Sequence, residues 1–216
     1  MAGAGEPPAP GWVPSTHRLV LLSDAVFAIA ITLLALDIRL PETPGEPSGA
    51  ELGHQLAELG PTYFSFVISF VAVGFYWIAH HRYFQLIVRS DPVLLLLNLL
   101  LLMGVAFIPF PAAVIGDHDD RTANTFYPLS LAAVGVVSGG MWLYASWGGR
   151  LLAHPLERRR LVAGVLRSFL APGCFAVTAV VAVWAPTAAR DLWYAIAAGE
   201  LAGIVLDSRG RTWPPA

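Results

Sequence analysis

The sequence predicts an all-α membrane protein with six transmembrane helices per subunit. Of its 216 residues, 56% are hydrophobic and 13% are charged, a balance that the wetted surface of a soluble domain of this size would hardly sustain. The mean hydropathy is +0.62. Apolar stretches of about 20 residues, the length that crosses roughly 30 Å of hydrocarbon, recur along the chain. The lipid bilayer is therefore the expected environment.

The apolar segments can be placed between two polar tails. Residues 1–17 are rich in Gly, Pro and Ala and lack a basic region ahead of the first apolar run, which disfavours a cleaved signal peptide and predicts a disordered cytoplasmic tail. A transmembrane domain over residues 18–206 follows, and residues 207–216 form a cytoplasmic C-terminal tail. The predicted spans are 18–40, 60–80, 92–115, 123–147, 161–185 and 188–206.

The third and sixth segments contain residues that bear on where each helix ends and on how long it is. Pro109 and Pro111 lie near the end of the third segment, and we interpret them as the exit of that helix, because proline does not continue a helix well. The sixth segment has only about fifteen apolar-dominated positions after Asp191 and contains Glu200, so it is short for a span.

The arginines predict the orientation of the chain. All 13 basic residues are Arg, and basic loop residues are retained on the cytoplasmic side. Six spans place most of them on one side, namely Arg18, Arg82, Arg89, Arg150, Arg158, Arg159, Arg160, Arg209 and Arg211. The loops on the other side are acidic. This pattern predicts a multi-pass protein of the cell membrane with both termini cytoplasmic, and it supports counting the sixth segment.

Several classes of function lack support. The net charge is −2 and no basic or aromatic-basic cluster is present, which argues against a nucleic-acid partner. The single cysteine, Cys174, excludes an internal disulfide and is expected to be a packing residue. His80 and His81 have no identifiable third ligand, so no metal site is predicted. No catalytic or phosphate-binding motif is found, and neither an enzyme nor a cofactor is expected.

Ionisable residues inside the predicted spans are the first candidates for function, because such a group is costly in a membrane unless it is paired or hydrated. Asp24 lies near the start of the first helix, close to Arg18 and Ser23. These residues could form a hydrogen-bonded network that joins helices, or only a helix cap with a snorkelling arginine. Glu200 could be a buried relay or an interfacial residue.

The first helix also carries an apolar stripe on the face opposite Asp24. At 100° per residue, one face collects Leu22, Ala25, Ile29, Thr32, Leu33, Leu36 and Leu40. Any helix that faces lipid shows such a stripe. Repeated around a symmetry axis, however, branched side chains would form a hydrophobic constriction of the kind found in channels. The pattern alone leaves both interpretations open.

Two motifs resemble a known family. The run from Arg18 to Ile38 is similar to the first-helix signature of the transmembrane protein 175 family of potassium channels, which is Arg, three residues, then Phe-Ser-Asp. Arg18, Ser23 and Asp24 match it, whereas Leu22 replaces the Phe. The segment that begins at Trp77 is similar to the Trp-x-x-His motif of the family, with His80 as its histidine.

The resemblance implies a function for each candidate residue. A single six-helix unit implies the bacterial type of channel, a homotetramer in the lipid bilayer whose four first helices line a central pore for potassium ions. Ile29, Leu33 and Leu36 match the pore-facing hydrophobic positions, and Thr32 flanks them. The residues expected to hold the pore helix are Arg18, Ser23, Asp24, Trp77 and His80.

Two other functions stay open at this point. A proton-coupled secondary transporter would use Asp24 or Glu200 as its proton site. A non-conducting membrane scaffold would need neither a pore nor a titrating group.

Overall fold

The computed structural model describes residues 15–41, 48–154, 156–185, 188, 189 and 192. Within them the chain is helical apart from connecting segments and one isolated antiparallel bridge between Ile87 and Leu152. The helices are α1 (Thr16–Leu33), α2 (Gly49–Glu58), α3 (Gly60–Leu86), α4 (Pro92–Phe107), α5 (Pro109–Asp117), α6 (Arg121–Ser146) and α7 (Arg158–Trp184). A short 3-10 turn extends α1 over Leu34–Asp37. After α6 the chain leaves the helix, because Trp147 is extended and Gly148 and Gly149 have positive φ angles of 66° and 67°.

Five helical segments of the described part of the chain are long and apolar enough to cross a membrane: Thr16–Asp37, Gly60–Leu86, Pro92–Asp117, Arg121–Gly149 and Arg158–Trp184. The prediction of an all-helical multi-pass membrane protein is thereby confirmed. Most of the predicted sixth span, including Glu200, lies outside the described residues, as do the tail 207–216 and most of the predicted N-terminal tail.

Several helix boundaries differ from the sequence prediction. The first helix begins at Thr16, inside the tail predicted for residues 1–17, and the second span continues to Leu86 instead of ending near residue 80. The interpretation of Pro109 as a helix exit is wrong, because α4 ends at Phe107 and Pro109 begins α5. Proline is well tolerated in the first turn of a helix, where its missing N–H has no partner to lose.

Helix α3 connects most of the bundle through its hydroxyl groups. These groups bond to α6 and α7, and the pairs are Ser69 Oγ with Tyr127 Oη at 2.8 Å, Tyr76 Oη with the Leu131 carbonyl at 2.6 Å, and Tyr83 Oη with Ser168 Oγ at 2.9 Å. Buried polar groups need such partners in an apolar environment. A hydrogen-bonded α3 therefore provides a fixed surface against which α1 packs.

Helices α6 and α7 approach each other closely at glycines. A Cβ added to Gly135 would lie 2.7 Å from Pro172 Cβ, and one added to Gly139 would lie 2.9 Å from the ring of Phe169. Small residues at helix contacts permit this approach in membrane proteins. The glycine spacing in α6 is thus used for packing between two helices of the same chain.

The two ends of the bundle differ in charge. We call the basic end the one where α3 ends and α4 and α7 begin, near Arg89, Arg150 and Arg158. We call the acidic end the one where α5 ends and α6 begins, near Asp117, Asp119 and Asp120. At the basic end, Asp91 accepts hydrogen bonds from the Leu94 amide at 2.7 Å and from Tyr144 Oη at 2.6 Å, which joins α4 to α6.

Candidate functional site

Helix α1 has two faces with opposite environments. Leu19, Ser23, Phe27, Ala30 and Leu34 are buried against the rest of the chain. The opposite stripe of seven residues, Leu22, Ala25, Ile29, Thr32, Leu33, Leu36 and Leu40, is exposed along its whole length. Ile29 and Leu36 are both 58% exposed. The rest of the chain thus holds α1 by one face and leaves its apolar stripe uncovered.

A chain of hydrogen bonds joins the buried face of α1 to α3 and α4. The His80 Nε2–H donates to Asn98 Oδ1 at 3.0 Å, and Asn98 Nδ2 donates to Ser23 Oγ at 3.1 Å. The Ser23 hydroxyl donates in turn to the Leu19 carbonyl at 2.8 Å. Ser23, His80 and Asn98 are each 0% exposed. Buried polar groups that satisfy one another in this way specify a single arrangement of helices.

Aromatic rings enclose His80 within this network. The Phe84 ring stacks on the imidazole with centroids 4.4 Å apart, and the Phe27 ring of α1 lies at 5.7 Å in a tilted arrangement. His80 Nδ1 has no hydrogen-bond partner among the described residues. Because Nε2 faces the amide oxygen of Asn98, the geometry favours the tautomer that carries its proton on Nε2.

A second contact joins α1 to α3 at a less buried position. The Trp77 Nε1–H donates a 2.8 Å hydrogen bond to Asp24 Oδ1. The indole also stacks on His81, with centroids 5.8 Å apart. A carboxylate near the membrane requires a partner of this kind, and a hydrogen bond to an ionised acceptor is stronger than one between neutral groups.

The structure therefore brings together four of the five residues predicted to hold the first helix: Ser23, Asp24, Trp77 and His80. Arg18 does not join them. Its side chain is exposed and forms no hydrogen bond or ion pair with another described residue. Its position at the basic end, in the first turn of α1, is typical of an arginine that reaches toward the membrane surface.

Sequence reasoning missed two members of the network, Asn98 and Phe27. Asn98 links α4 to both other helices, and Phe27 packs against His80. A signal for Asn98 was present, because it is the one polar residue in the leucine-rich run from Leu94 to Leu102. A lone amide in such a run needs a partner on another helix.

The backbone that carries the uncovered stripe changes its helical geometry toward the acidic end. The α-helical part ends at Leu33 and continues as a 3-10 turn over Leu34–Asp37. The Thr32 hydroxyl donates to the Ile29 carbonyl at 2.8 Å, so its oxygen keeps acceptor capacity on the exposed side. Arg39 Nε donates to the Leu36 carbonyl at 2.8 Å and satisfies one carbonyl of the terminal turn.

No group of three His, Cys, Asp or Glu side chains in the part of the chain that the structure describes is arranged to hold a metal ion. Helix α1 combines a hydrogen-bonded face with an apolar uncovered face.

Comparison with known proteins assigns the family. Residues 18–109 match the family model described as endosomal/lysosomal potassium channel TMEM175. A potassium channel of Chamaesiphon minutus is 35% identical over 181 residues, which cover 78% of this chain and 86% of that protein. This chain belongs to the TMEM175 family. The region that matches the family model contains α1 from Arg18 onward, α3 and Asn98, and so the whole hydrogen-bonded network.

Further relatives agree with the assignment to the TMEM175 family. A potassium channel of Streptomyces collinus is 39% identical over 139 residues, or 62% of this chain and 66% of that protein. The crystal structure of a TMEM175 homolog from Chamaesiphon minutus, described as a lysosomal potassium-selective channel homolog, superposes with a TM-score of 0.72. It is 29% identical and the match covers 84% of this chain and 94% of that chain. The predicted family is confirmed, and the helical arrangement is the TMEM175 fold.

Proposed function

We propose that this protein is a potassium-permeable channel of the cell membrane. Four copies surround a central pore lined by α1, and potassium flows passively down its electrochemical gradient. The relatives named as potassium channels support the class of function. The pore assignment rests on α1 itself.

The observation that carries the pore assignment is the contrast between the two faces of α1. The hydrogen bonds from Asn98 to Ser23 and from Trp77 to Asp24 fix the rotation of α1 about its own axis. At that rotation Ile29, Leu33 and Leu36 point away from the subunit. Four copies related by a fourfold axis would turn these three residues toward one another and form stacked rings.

Rings of branched alkyl side chains can act as a gate. Alkyl groups offer no oxygen to replace water around an ion, so a narrow apolar ring raises the free energy of a dehydrated cation and conducts only when it is wide enough to stay wet. Thr32 lies between these rings in sequence and contributes a hydroxyl oxygen at the same face. We propose Ile29, Leu33 and Leu36 as the constriction and Thr32 as the polar group beside it.

The network residues have a supporting role in this proposal. Ser23, Asp24, Trp77 and His80 take part in hydrogen bonds between helices. They orient the pore helix and do not touch the permeating ion. Arg18 marks the basic end of the same helix, and with both termini cytoplasmic that end faces the cytoplasm.

Potassium flux into liposomes tests the pore assignment. The full-length protein is reconstituted, and the variants Ile29→Asn and Leu33→Asn are compared with the parent and with Leu96→Asn, a change at an exposed position of α4. A polar ring should stay hydrated, so the potassium flux through each α1 variant should differ at least tenfold from that of the parent. The flux through the α4 variant should equal that of the parent. Unchanged flux in both α1 variants, with the protein folded, contradicts the pore assignment.

The same liposomes separate the two competing functions. A proton-coupled transporter would move potassium against its gradient when a pH gradient is applied, and Asp24→Asn would abolish that movement. A scaffold would show no ionic conductance in a well-assembled oligomer. Single-channel recording under opposed potassium and sodium gradients gives the ratio of the two permeabilities.

A further inference from the structure

A cavity of about 380 Å³ opens at the acidic end, between the start of α3, the end of α5 and the start of α6. Its rim includes the exposed residues Asp117, His118 and Asp119, and its inner part includes the buried residues Ile68 and Tyr127. Cavities of about this size hold small molecules. None of the residues proposed to line the pore belongs to it, so the cavity is separate from the exposed stripe of α1.

Asn124 gives the cavity wall an acceptor that the protein leaves without a partner. Its side chain is 0% exposed and lines the cavity. Both hydrogens of Nδ2 are used, since this nitrogen donates to Asp119 Oδ1 at 3.0 Å and to the Asp120 carbonyl at 2.9 Å. Oδ1 has no hydrogen-bond partner among the described residues. A buried acceptor of this kind is satisfied when a bound molecule donates to it.

Charge and apolar surface at the cavity specify the chemistry of that molecule. Asp117 and Asp119 place two carboxylates at the rim, against the single imidazole of His118. The hydrogen bond between Asn124 and Asp119 brings the unpartnered amide close to one of these carboxylates. Phe64, Ile68 and Ile115 provide apolar wall beside these groups. A ligand that matches the rim carboxylates, the unpartnered amide oxygen and the apolar wall has a positive charge, N–H donors and a short apolar chain.

We propose that this cavity binds a small primary alkylammonium ion. The ammonium group donates to Asn124 Oδ1 and is neutralised by the carboxylates of Asp117 and Asp119. The alkyl chain lies along Phe64, Ile68 and Ile115, and aromatic faces near a cation add to its binding. Potassium conduction is not required for this binding, so the proposal stands or falls independently of the pore.

Binding of three probes tests the recognised chemistry. Titration calorimetry of the purified full-length protein is performed with n-pentylammonium, 1-pentanol and tetramethylammonium. Pentanol has the chain without the charge, and tetramethylammonium has the charge without an N–H donor. We expect n-pentylammonium to bind at least tenfold more tightly than either. Equal binding of pentanol would overturn the role of the charge, and equal binding of tetramethylammonium would overturn donation to Asn124.

Two double variants with the same change in net charge test the location. Asp117→Asn with Asp119→Asn removes both rim carboxylates, whereas Glu58→Gln with Asp120→Asn removes two carboxylates of the same end that do not line the cavity. Asparagine caps a helix about as well as aspartate, so Asp120→Asn should leave the start of α6 intact. The first pair should weaken n-pentylammonium binding at least tenfold and the second less than threefold. Equal effects of both pairs would overturn the site.

Isoleucine methyl spectra provide a measurement that does not depend on a variant folding well. The δ1 methyl groups of the labelled parent protein are followed during the n-pentylammonium titration. Signals of Ile68 and Ile115, in the cavity, should shift, and that of Ile29, on the exposed stripe of α1, should not. A response at Ile29 without one at Ile68 and Ile115, or no response at any of the three, would overturn the proposal.

Discussion

Trp77 Nε1 donates a 2.8 Å hydrogen bond to Asp24 Oδ1 and so joins α3 to α1 across 53 positions of sequence. One turn further along α3, His80 reaches the same helix through Asn98 and Ser23. The two contacts engage α1 at adjacent residues, Ser23 and Asp24. Helix α1 is thus held at one level of the bundle, and the rest of its length is held by apolar packing of Phe27, Ala30 and Leu34.

Replacement of Trp77 by Phe should weaken this attachment. The change removes the N–H donor and leaves Asp24 without that partner, which should lower the free energy of unfolding by about 1–3 kcal/mol. Thermal unfolding of the protein in detergent measures the effect as a lower midpoint. Trp147→Phe is the matched control, because Trp147 is 68% exposed at the same end of the bundle. Equal midpoints for the two variants would contradict the role of the hydrogen bond.

Ser23 and Asn98 should be energetically coupled. Asn98→Leu removes the donor to Ser23 Oγ and the acceptor for His80, and Ser23→Ala removes the hydroxyl. Once the amide is gone the hydroxyl keeps only its bond to the Leu19 carbonyl, so Ser23→Ala should cost about 0.5–2 kcal/mol less in the Asn98→Leu background. Unfolding of the parent, both single variants and the double variant gives this difference.

A second set of parent, single and double variants shows whether the energetic coupling is specific to the network of Ser23, Asn98 and His80. Ser69 bonds to Tyr127 and shares no partner with Asn98. Ser69→Ala and Asn98→Leu should therefore be additive to within about 0.5 kcal/mol. Coupling of the same size in both cycles would show that Asn98→Leu loosens the whole bundle and not one contact.

The contact between α6 and α7 makes a separate prediction about two glycines of one helix. A Cβ at Gly135 would lie 2.7 Å from Pro172, whose ring is rigid, whereas a Cβ at Gly140 meets no atom within 4 Å. Gly135→Ala should lower the free energy of unfolding by about 1–3 kcal/mol through overpacking. Gly140→Ala should be neutral or stabilise by up to about 1 kcal/mol, because alanine favours the helix. The opposite order in the unfolding midpoints would contradict the close approach at Gly135.

Hydrophobic length and residue pattern were sufficient to predict five helical spans and the uncovered face of α1. The stripe of seven residues from Leu22 to Leu40, identified at 100° per residue, is the face that the rest of the chain leaves exposed. A helix that packs against its neighbours by one face presents the opposite face outward. Membrane spans are readable from sequence since each must cross the same thickness of hydrocarbon.

The partners of the buried polar groups could not be predicted in the same way. The sequence places Ser23 and His80 on separate helices, and only the packing of α4 brings Asn98 between them. The break at Ile108 was missed for a related reason, because a proline pair can end one helix or begin the next. Which of the two occurs depends on whether the following residues find a surface to pack on, as Ala112 of α5 does.

Silver ions distinguish a face that lines a pore from one that contacts lipid, which exposure alone does not do. In a background without the single native thiol, Cys174→Ala, cysteine is introduced at Ile29, at Leu33 or at Leu96. Leu96 on α4 is 67% exposed, more than either α1 residue. Ag⁺ is a small monovalent cation that binds thiolate sulfur tightly. If α1 lines the pore, Ag⁺ should reduce potassium flux through the Ile29→Cys and Leu33→Cys proteins at least tenfold.

The Leu96→Cys protein and the cysteine-free background should keep their flux under the same treatment, because a thiol in hydrocarbon is reached slowly by an aqueous cation and lies outside the ion path. Loss of flux in Leu96→Cys with none in Ile29→Cys would move the pore from α1 to α4. The network of Ser23, Asn98 and His80 would then orient a helix that faces lipid. Inhibition confined to the α1 positions would instead show that the face of α1 that the hydrogen bonds turn outward lines the path of the ion.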